Sequence, residues 1–153
     1  MTRVDLLSAT EEAFWRALMR VVMSLPGYLD GDLVRAVGIT ANEYSTLMSL
    51  SEAPGHELRM TDLAHETALS PSRITRLVNE LQARGLVTKR ASAEDGRGNL
   101  ASLTSDGLAK LGAAWGVHVS SVRTLVFDHL DPATMSDAAQ TLSEVAARLE
   151  DRP

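Results

Sequence analysis

Residues 70–84, SPSRITRLVNELQAR, leave this chain few folds to choose from. Ser70 can accept hydrogen bonds from the free N–H groups that open a helix, and Pro71 suits the first helical position. Ile74, Leu77, Val78 and Leu81 then recur at i, i+3, i+4 and i+7, a spacing that predicts a helix with one apolar stripe. Gly85 is the residue type that ends such a helix in left-handed backbone. Residues 86–90 read as a strand, a glycine-rich turn follows, and residues 99–103 return as a second strand.

The other signals are mostly helical. Ser8-Ala9-Thr10-Glu11 and Thr40-Ala41-Asn42-Glu43 are capping boxes, in which hydroxyl and carboxylate satisfy each other's backbone N–H groups. The first opens a long apolar-periodic helix that Pro26-Gly27 is expected to kink or break. The second opens a helix with Tyr44, Leu47 and Met48 on one face, ending before Pro54-Gly55. Residues 58–60 suggest a very short strand. Thr61 reads as the cap of a short helix with Leu63, Ala64 and Thr67 inward. Thr104 caps a long helix expected to reach Leu130, and Asp131-Pro132 opens a last one ending near Glu150. Two helices separated by a tight connection and followed by a hairpin make a winged helix-turn-helix. The expected fold is therefore mainly α with a small β-hairpin wing, flanked by long N- and C-terminal helices.

Charge refines the reading. The net charge of −5 by itself argues against a nucleic-acid partner. Its distribution argues the other way. Residues 70–99 hold six bases (Arg73, Arg76, Arg84, Lys89, Arg90, Arg97) and three acids (Glu80, Glu94, Asp95). That is +3, so the remainder carries −8. A phosphate responds first to the local field. The polar side of the 70–84 helix carries Ser72, Thr75, Arg76 and Asn79, flanked by Arg73 and opened by Ser70. It includes no carboxylate, whereas an ordinary solvated face mixes both signs. Short hydroxyls, an amide and guanidinium groups suit base edges and phosphates, and the helix N-terminus favours an anion.

The turn EDGRG belongs to the same picture. Gly96 and Gly98 permit the backbone angles of a tight turn, which projects Arg97 at its tip. Asp95 can hold that guanidinium in one orientation, lowering the entropy lost on binding. An arginine at a hairpin tip is favoured by the negative potential of a minor groove. Lys89 and Arg90, at the strand end, add phosphate contacts. An isolated exposed Arg–Asp pair contributes at most about 1 kcal/mol. Its position just after the 70–84 helix is what favours the DNA reading.

Asp95-x-Arg97, followed by Leu100-Ala101-Ser102-Leu103-Thr104 and preceded by Arg84-Gly85-Leu86-Val87, resembles the MarR family of bacterial transcription regulators. The helix order is similar over nearly the whole chain, roughly residues 10–149. The resemblance implies a single MarR-type domain over about residues 8–150. Within it, residues 1–38 would form an N-terminal dimerisation region, 39–104 the DNA-binding lobe and 105–153 the C-terminal dimerisation helices. It further implies a homodimer on a near-palindromic double-stranded operator, with the recognition helix in the major groove and Arg97 in the minor groove. Gly98 departs from the family, which often has a basic or polar residue there, so a weaker backbone grip is expected.

Three apolar-periodic faces suit an obligate dimer: Phe14, Trp15, Leu18, Val21 and Val22; Leu108, Leu111, Trp115, His118, Val122, Leu125 and His129; and Leu142, Val145, Ala146 and Leu149. A seam within one chain is the competing reading. His118 and His129 lie about three turns apart, whereas helical metal-ligand pairs lie about one turn apart, so packed histidines are expected and no metal. The resemblance also implies a small-molecule effector pocket. Trp15, Met19, Tyr44, Met48 and His118 offer apolar walls with polar tips, although all five can equally be core residues. Arg16 and Arg20 can pair with an anionic effector or with Glu12 on their own helix.

The absence of cysteine excludes structural disulfides and thiol chemistry. No apolar run approaches the ~18 residues of a membrane span, and no export signal is legible, so a cytoplasmic protein is expected. No nucleophile elbow, phosphate loop or metal cluster appears, and no cofactor or enzymatic activity is expected. A winged-helix protein–protein module without DNA binding is the alternative, and the basic sector argues against it.

Overall fold

Hydrogen bonds at the helix ends account for where the helices begin. The computed structural model describes residues 6–91 and 99–150. Ser8 opens α1 (Ala9–Val37): its N–H donates to Glu11 Oε2 at 2.8 Å, and its hydroxyl accepts from the Glu11 N–H. Thr40 and Glu43 repeat the arrangement at α2 (Ala41–Glu52). After a single 3-10 turn, Pro54–His56, the chain forms β1 (Glu57–Arg59), α3 (Met60–Glu66), α4 (Pro71–Ala83), β2 (Val87–Ala91), β3 (Asn99–Leu103), α5 (Ser105–Leu125) and α6 (Met135–Glu150).

The chain divides into two compact units, residues 1–119 and 120–153. The core of the first unit draws on every layer: Leu33 of α1, Leu47 and Leu50 of α2, Leu63 of α3, Ile74, Val78 and Leu81 of α4, Val87, Ala101 and Leu111. Burying each large aliphatic side chain contributes about 1.5–3 kcal/mol. The four stripe residues of α4 are all buried, so this stripe locks the helix to the lobe and fixes which face turns outward. Gly85, at φ +72, ends the connection from α4 as expected. In the second unit, Leu142, Val145 and Leu149 of α6 are exposed, as are Leu125, Phe127 and Leu130. No helix among the described residues is long and apolar enough to cross a membrane.

The hairpin is part of a larger sheet. β1 pairs antiparallel with β3 on the side away from β2, in the order β1-β3-β2. Ser102 stands opposite Glu57 on one side and Thr88 on the other. The junction after α4 is tight. The Thr104 hydroxyl donates to the Gly85 carbonyl at 2.7 Å and accepts from the Gly107 N–H at 3.0 Å, capping α5. A Cβ at Gly107 would collide with the Leu86 carbonyl and lie 2.7 Å from Leu103 Cδ1.

Four local expectations are corrected. Pro26 does not break α1, which runs unbroken through it. The single carbonyl it deprives of a partner, on Val22, lies in an exposed stretch open to water. α5 stops at Leu125, a length of about 31 Å rather than ~39 Å, and Phe127–His129 forms a 3-10 turn. Thr124, Val126, Asp128 and His129 are weak helix formers, which explains the stop. Thr61 lies inside α3, whose cap position is Arg59, because β1 runs directly into the helix. Asp131 caps a turn, accepting from the Ala133 N–H at 2.9 Å, and α6 begins only at Met135.

Candidate nucleic-acid interface

α4 presents Ser70, Ser72, Arg73, Thr75, Arg76 and Asn79 to solvent, opposite its buried stripe. Ser70 caps the helix by accepting from the Arg73 N–H and lies 3.2 Å from the Ser72 hydroxyl. The Thr75 hydroxyl donates to the Pro71 carbonyl at 2.8 Å, which leaves its lone pairs outward as acceptors. Asn79 Oδ1 accepts from Lys89 Nζ at 3.2 Å, so the wing strand orients the amide of the helix and leaves its NH2 group to act as a donor. Arg76 Nε lies 3.7 Å from Glu80, with both side chains exposed. Arg73 and Arg76 border a polar cleft shared with Asp30, Thr40, Asn42 and Glu43. The face can donate to and accept from base edges at several points, and it places two guanidinium groups beside the helix N-terminus.

The sector is less positive than its own residues suggest. Arg84 Nη1 donates to Glu43 Oε1 at 2.7 Å, and Arg90 makes a two-pronged pair with Glu57. Both carboxylates come from outside residues 70–99, so a count confined to that window overstates the field. The pairings of Glu57, Glu43 and Ser102 were not legible in the sequence, where Glu43 figures only in the Thr40 capping box and Ser102 only in the strand after the turn. The paired residues lie 33 to 45 residues apart, with no local pattern to mark them. Ser102 donates to Glu57 Oε2 at 2.5 Å, and this bond, then Arg90, holds the Glu57 carboxyl below the ordinary carboxylate value. Asp95 and Arg97 lie outside the described residues.

Of the effector candidates, the fold brings Tyr44 and His118 together. Their rings stack with centroids 4.5 Å apart and planes at 27°. The Tyr44 hydroxyl and His118 Nδ1 are buried with no hydrogen-bond partner among the described residues. Burial lowers the His118 pKa, and burial followed by the Glu52 charge raises that of Tyr44. Met19 and Met48 are half-buried, whereas Trp15 is exposed. Arg16 pairs with Glu12 at 2.5 Å on its own helix. The expected α5 seam divides: Leu111 enters the lobe core, Leu108 and Trp115 face outward, and His129 is off the helix. No group of three or more metal-ligating side chains comes together among the described residues.

This geometry has close counterparts. A sequence model of the MarR family matches residues 37–98. Sco3205, a MarR family transcriptional regulator from Streptomyces coelicolor solved in complex with DNA, superposes with a TM-score of 0.89 and 32% identity. The match covers 95% of this chain and 91% of that one. CouR from Rhodococcus jostii RHA1, solved bound to p-coumaroyl-CoA, is 26% identical with a TM-score of 0.75, covering 92% and 96%. The HTH-type transcriptional repressor YetL of Bacillus subtilis (strain 168) is 30% identical over 94 residues, 61% of this chain and 56% of that protein. The chain spans about half the length of the curated relatives it matches.

Proposed function

The chain belongs to the MarR family, and on that premise we propose that it is a homodimeric, sequence-specific DNA-binding transcription regulator of the cytoplasm rather than an enzyme. The observation that carries the proposal is the outward face of α4. Ser72, Arg73, Thr75, Arg76 and Asn79 are exposed together without a carboxylate among them, while Ile74, Leu77, Val78 and Leu81 anchor the helix from behind. In this reading α4 enters the major groove of a near-palindromic operator, with Arg97 of the wing in the adjacent minor groove. Sco3205, at 32% identity, was solved with DNA.

Dimerisation has independent support. On α1, Phe14, Trp15, Val21, Val22 and Met23 are each more than half exposed, and a stretch of apolar surface that size calls for a partner. In the second unit α6 has its own exposed apolar face, Leu142, Val145 and Leu149. A dimer sets two α4 helices against half-sites about one helical turn, ~34 Å, apart.

The regulator acts as a repressor that a small aromatic effector releases. The Tyr44–His118 stack supports this, with two aromatic rings in contact and two buried polar atoms that have no hydrogen-bond partner among the described residues. An effector that shifts the spacing of the two α4 helices weakens DNA binding, and DNA in turn weakens effector binding.

The test is a gel shift with the DNA immediately upstream of the protein's own coding region, run across salt and then with a panel of phenolic compounds. Binding should weaken steeply with salt, by a slope near −0.9 per neutralised phosphate. Arg73→Ala and Arg76→Ala should each weaken it further while leaving the oligomer intact. Salt-insensitive behaviour towards DNA would point instead to a winged-helix protein–protein module, and variants that bind like the parent would overturn the assignment of the DNA contacts to this face.

A further inference from the structure

Arg90 and Glu57 meet across an intervening strand. Glu57 lies on β1 and Arg90 on β2, with β3 between them. The register puts Glu57, Ser102 and Thr88 in one row across the sheet, with Arg59, Leu100 and Arg90 in the row two residues along. Since side chains alternate along a strand, both rows face the same side. Among the described residues the guanidinium is held along one edge: Nε donates to Glu57 Oε2 at 3.1 Å and Nη2 to Oε1 at 2.7 Å. The carboxylate is itself fixed by the Ser102 hydroxyl at 2.5 Å.

An arginine has five N–H donors in a planar fork. This arrangement uses two of them and leaves Nη1, with the outer hydrogen of Nη2, directed away from Glu57. The Arg90 side chain remains 55% exposed. A long exposed side chain normally loses rotamer freedom on binding, and here that freedom is already restricted. The Glu57 carboxyl stays ionised well below neutral pH because Ser102, then Arg90, hydrogen-bond to it.

We propose that Glu57, held by Ser102, is a positioning residue that presents the free edge of Arg90 to a DNA phosphate at the root of the wing. This rests on the DNA-binding reading above and deepens it. It carries an effect of unexpected sign. Glu57 is an anion near a polyanion, so simple electrostatics makes its removal favourable to binding. As a positioning residue, its loss weakens binding instead.

The experiment measures affinity for a random-sequence duplex across salt, since a phosphate contact carries no sequence information. The proteins are the parent, Arg90→Ala, Glu57→Gln, Ser102→Ala and the double variant Glu57→Gln/Arg90→Ala. Arg90→Ala should flatten the salt slope by about 0.9. Glu57→Gln should bind about three- to tenfold more weakly and flatten the slope in the same direction. Ser102→Ala should do so to a lesser degree with the thermal midpoint kept, and the double variant should be no worse than Arg90→Ala alone. Tighter binding by Glu57→Gln, or additive losses in the double variant, overturns the positioning role while leaving the DNA-binding reading intact. A parent that shows no salt-dependent binding overturns both.

Discussion

Arg84 and Glu43, 41 residues apart in sequence, form an ion pair at 2.7 Å that joins the end of α4 to the start of α2. The Glu43 side chain is only 10% exposed and that of Arg84 39%. The same guanidinium donates through Nη2 to the Gly38 carbonyl at 3.0 Å, so it also holds the end of α1. The second carboxylate oxygen of Glu43 accepts from the Thr40 N–H and hydroxyl at 2.7 and 3.1 Å. One arginine therefore fixes α4 to two neighbouring helices, and every oxygen it leaves is satisfied by the α2 cap.

Removing Arg84 leaves a mostly buried carboxylate without its cation. Arg84→Ala should lower unfolding free energy by about 2 kcal/mol, less than for a fully buried pair because the guanidinium is partly solvated. Urea denaturation measures this. Arg84→Lys should recover only part of the loss, since an ammonium does not reproduce the fork that spans Glu43 and the Gly38 carbonyl. Equal stability of Arg84→Ala and the parent would show the pair to be neutral.

Gly107 sits where the chain turns from β3 into α5, against the Leu86 carbonyl that already accepts from the Thr104 N–H at 3.2 Å. The obstacle to a Cβ is backbone rather than a side chain that can swing aside. Gly107→Ala should destabilise by about 2–3 kcal/mol despite alanine's better helix propensity of about 1 kcal/mol. Calorimetry on Gly107→Ala beside Gly112→Ala, where nothing lies within reach of the new Cβ, separates the two effects.

Burial lowers the His118 pKa below its ordinary 6.5. The unfolded chain therefore binds this proton first as pH falls, and folding stability drops through about pH 6.5, levelling off below the folded-state value. Above that window His118 contributes no pH dependence. His118→Phe keeps a ring against Tyr44 and removes the titration, so its denaturation midpoint should vary less with pH over the acidic range. Parallel curves for parent and variant would assign the acid sensitivity elsewhere.

Phe14 is 62% exposed on α1, beside Trp15 and Leu7 around a shallow apolar hollow. Phe14→Glu places a charge in the surface assigned to dimerisation. Sedimentation should show a shift toward monomer at micromolar concentration, with operator affinity falling in step because two half-sites then bind separately. A variant that stays dimeric would move the interface off this part of α1.

Both capping boxes, the α4 stripe, the Gly85 stop and the strand at residues 99–103 were legible because each depends on groups within about four residues. The misplaced helix ends have the same origin. Asp131-Pro132 carries a start signal that a local turn satisfied, and weak formers after Leu125 ended α5 before its apolar spacing ran out. Candidate site residues followed the same division. The outward set of α4 was readable from the angle of its stripe, whereas Tyr44 and His118 meet only because separate helices pack.

Backbone propensity and apolar spacing in the sequence alone determined the element order, the winged helix-turn-helix and the face that α4 turns outward, since these are decided over one or two helical turns. The tertiary structure decided which charges are available to a phosphate. Glu43 and Glu57 reach Arg84 and Arg90 only after folding, and an ion pair depends on distances in space that spacing along the chain does not encode. A very short strand was legible at residues 58–60 and lies at Glu57–Arg59, but its pairing with β3 was decided by the fold, since three residues hold a strand only against a partner already in place.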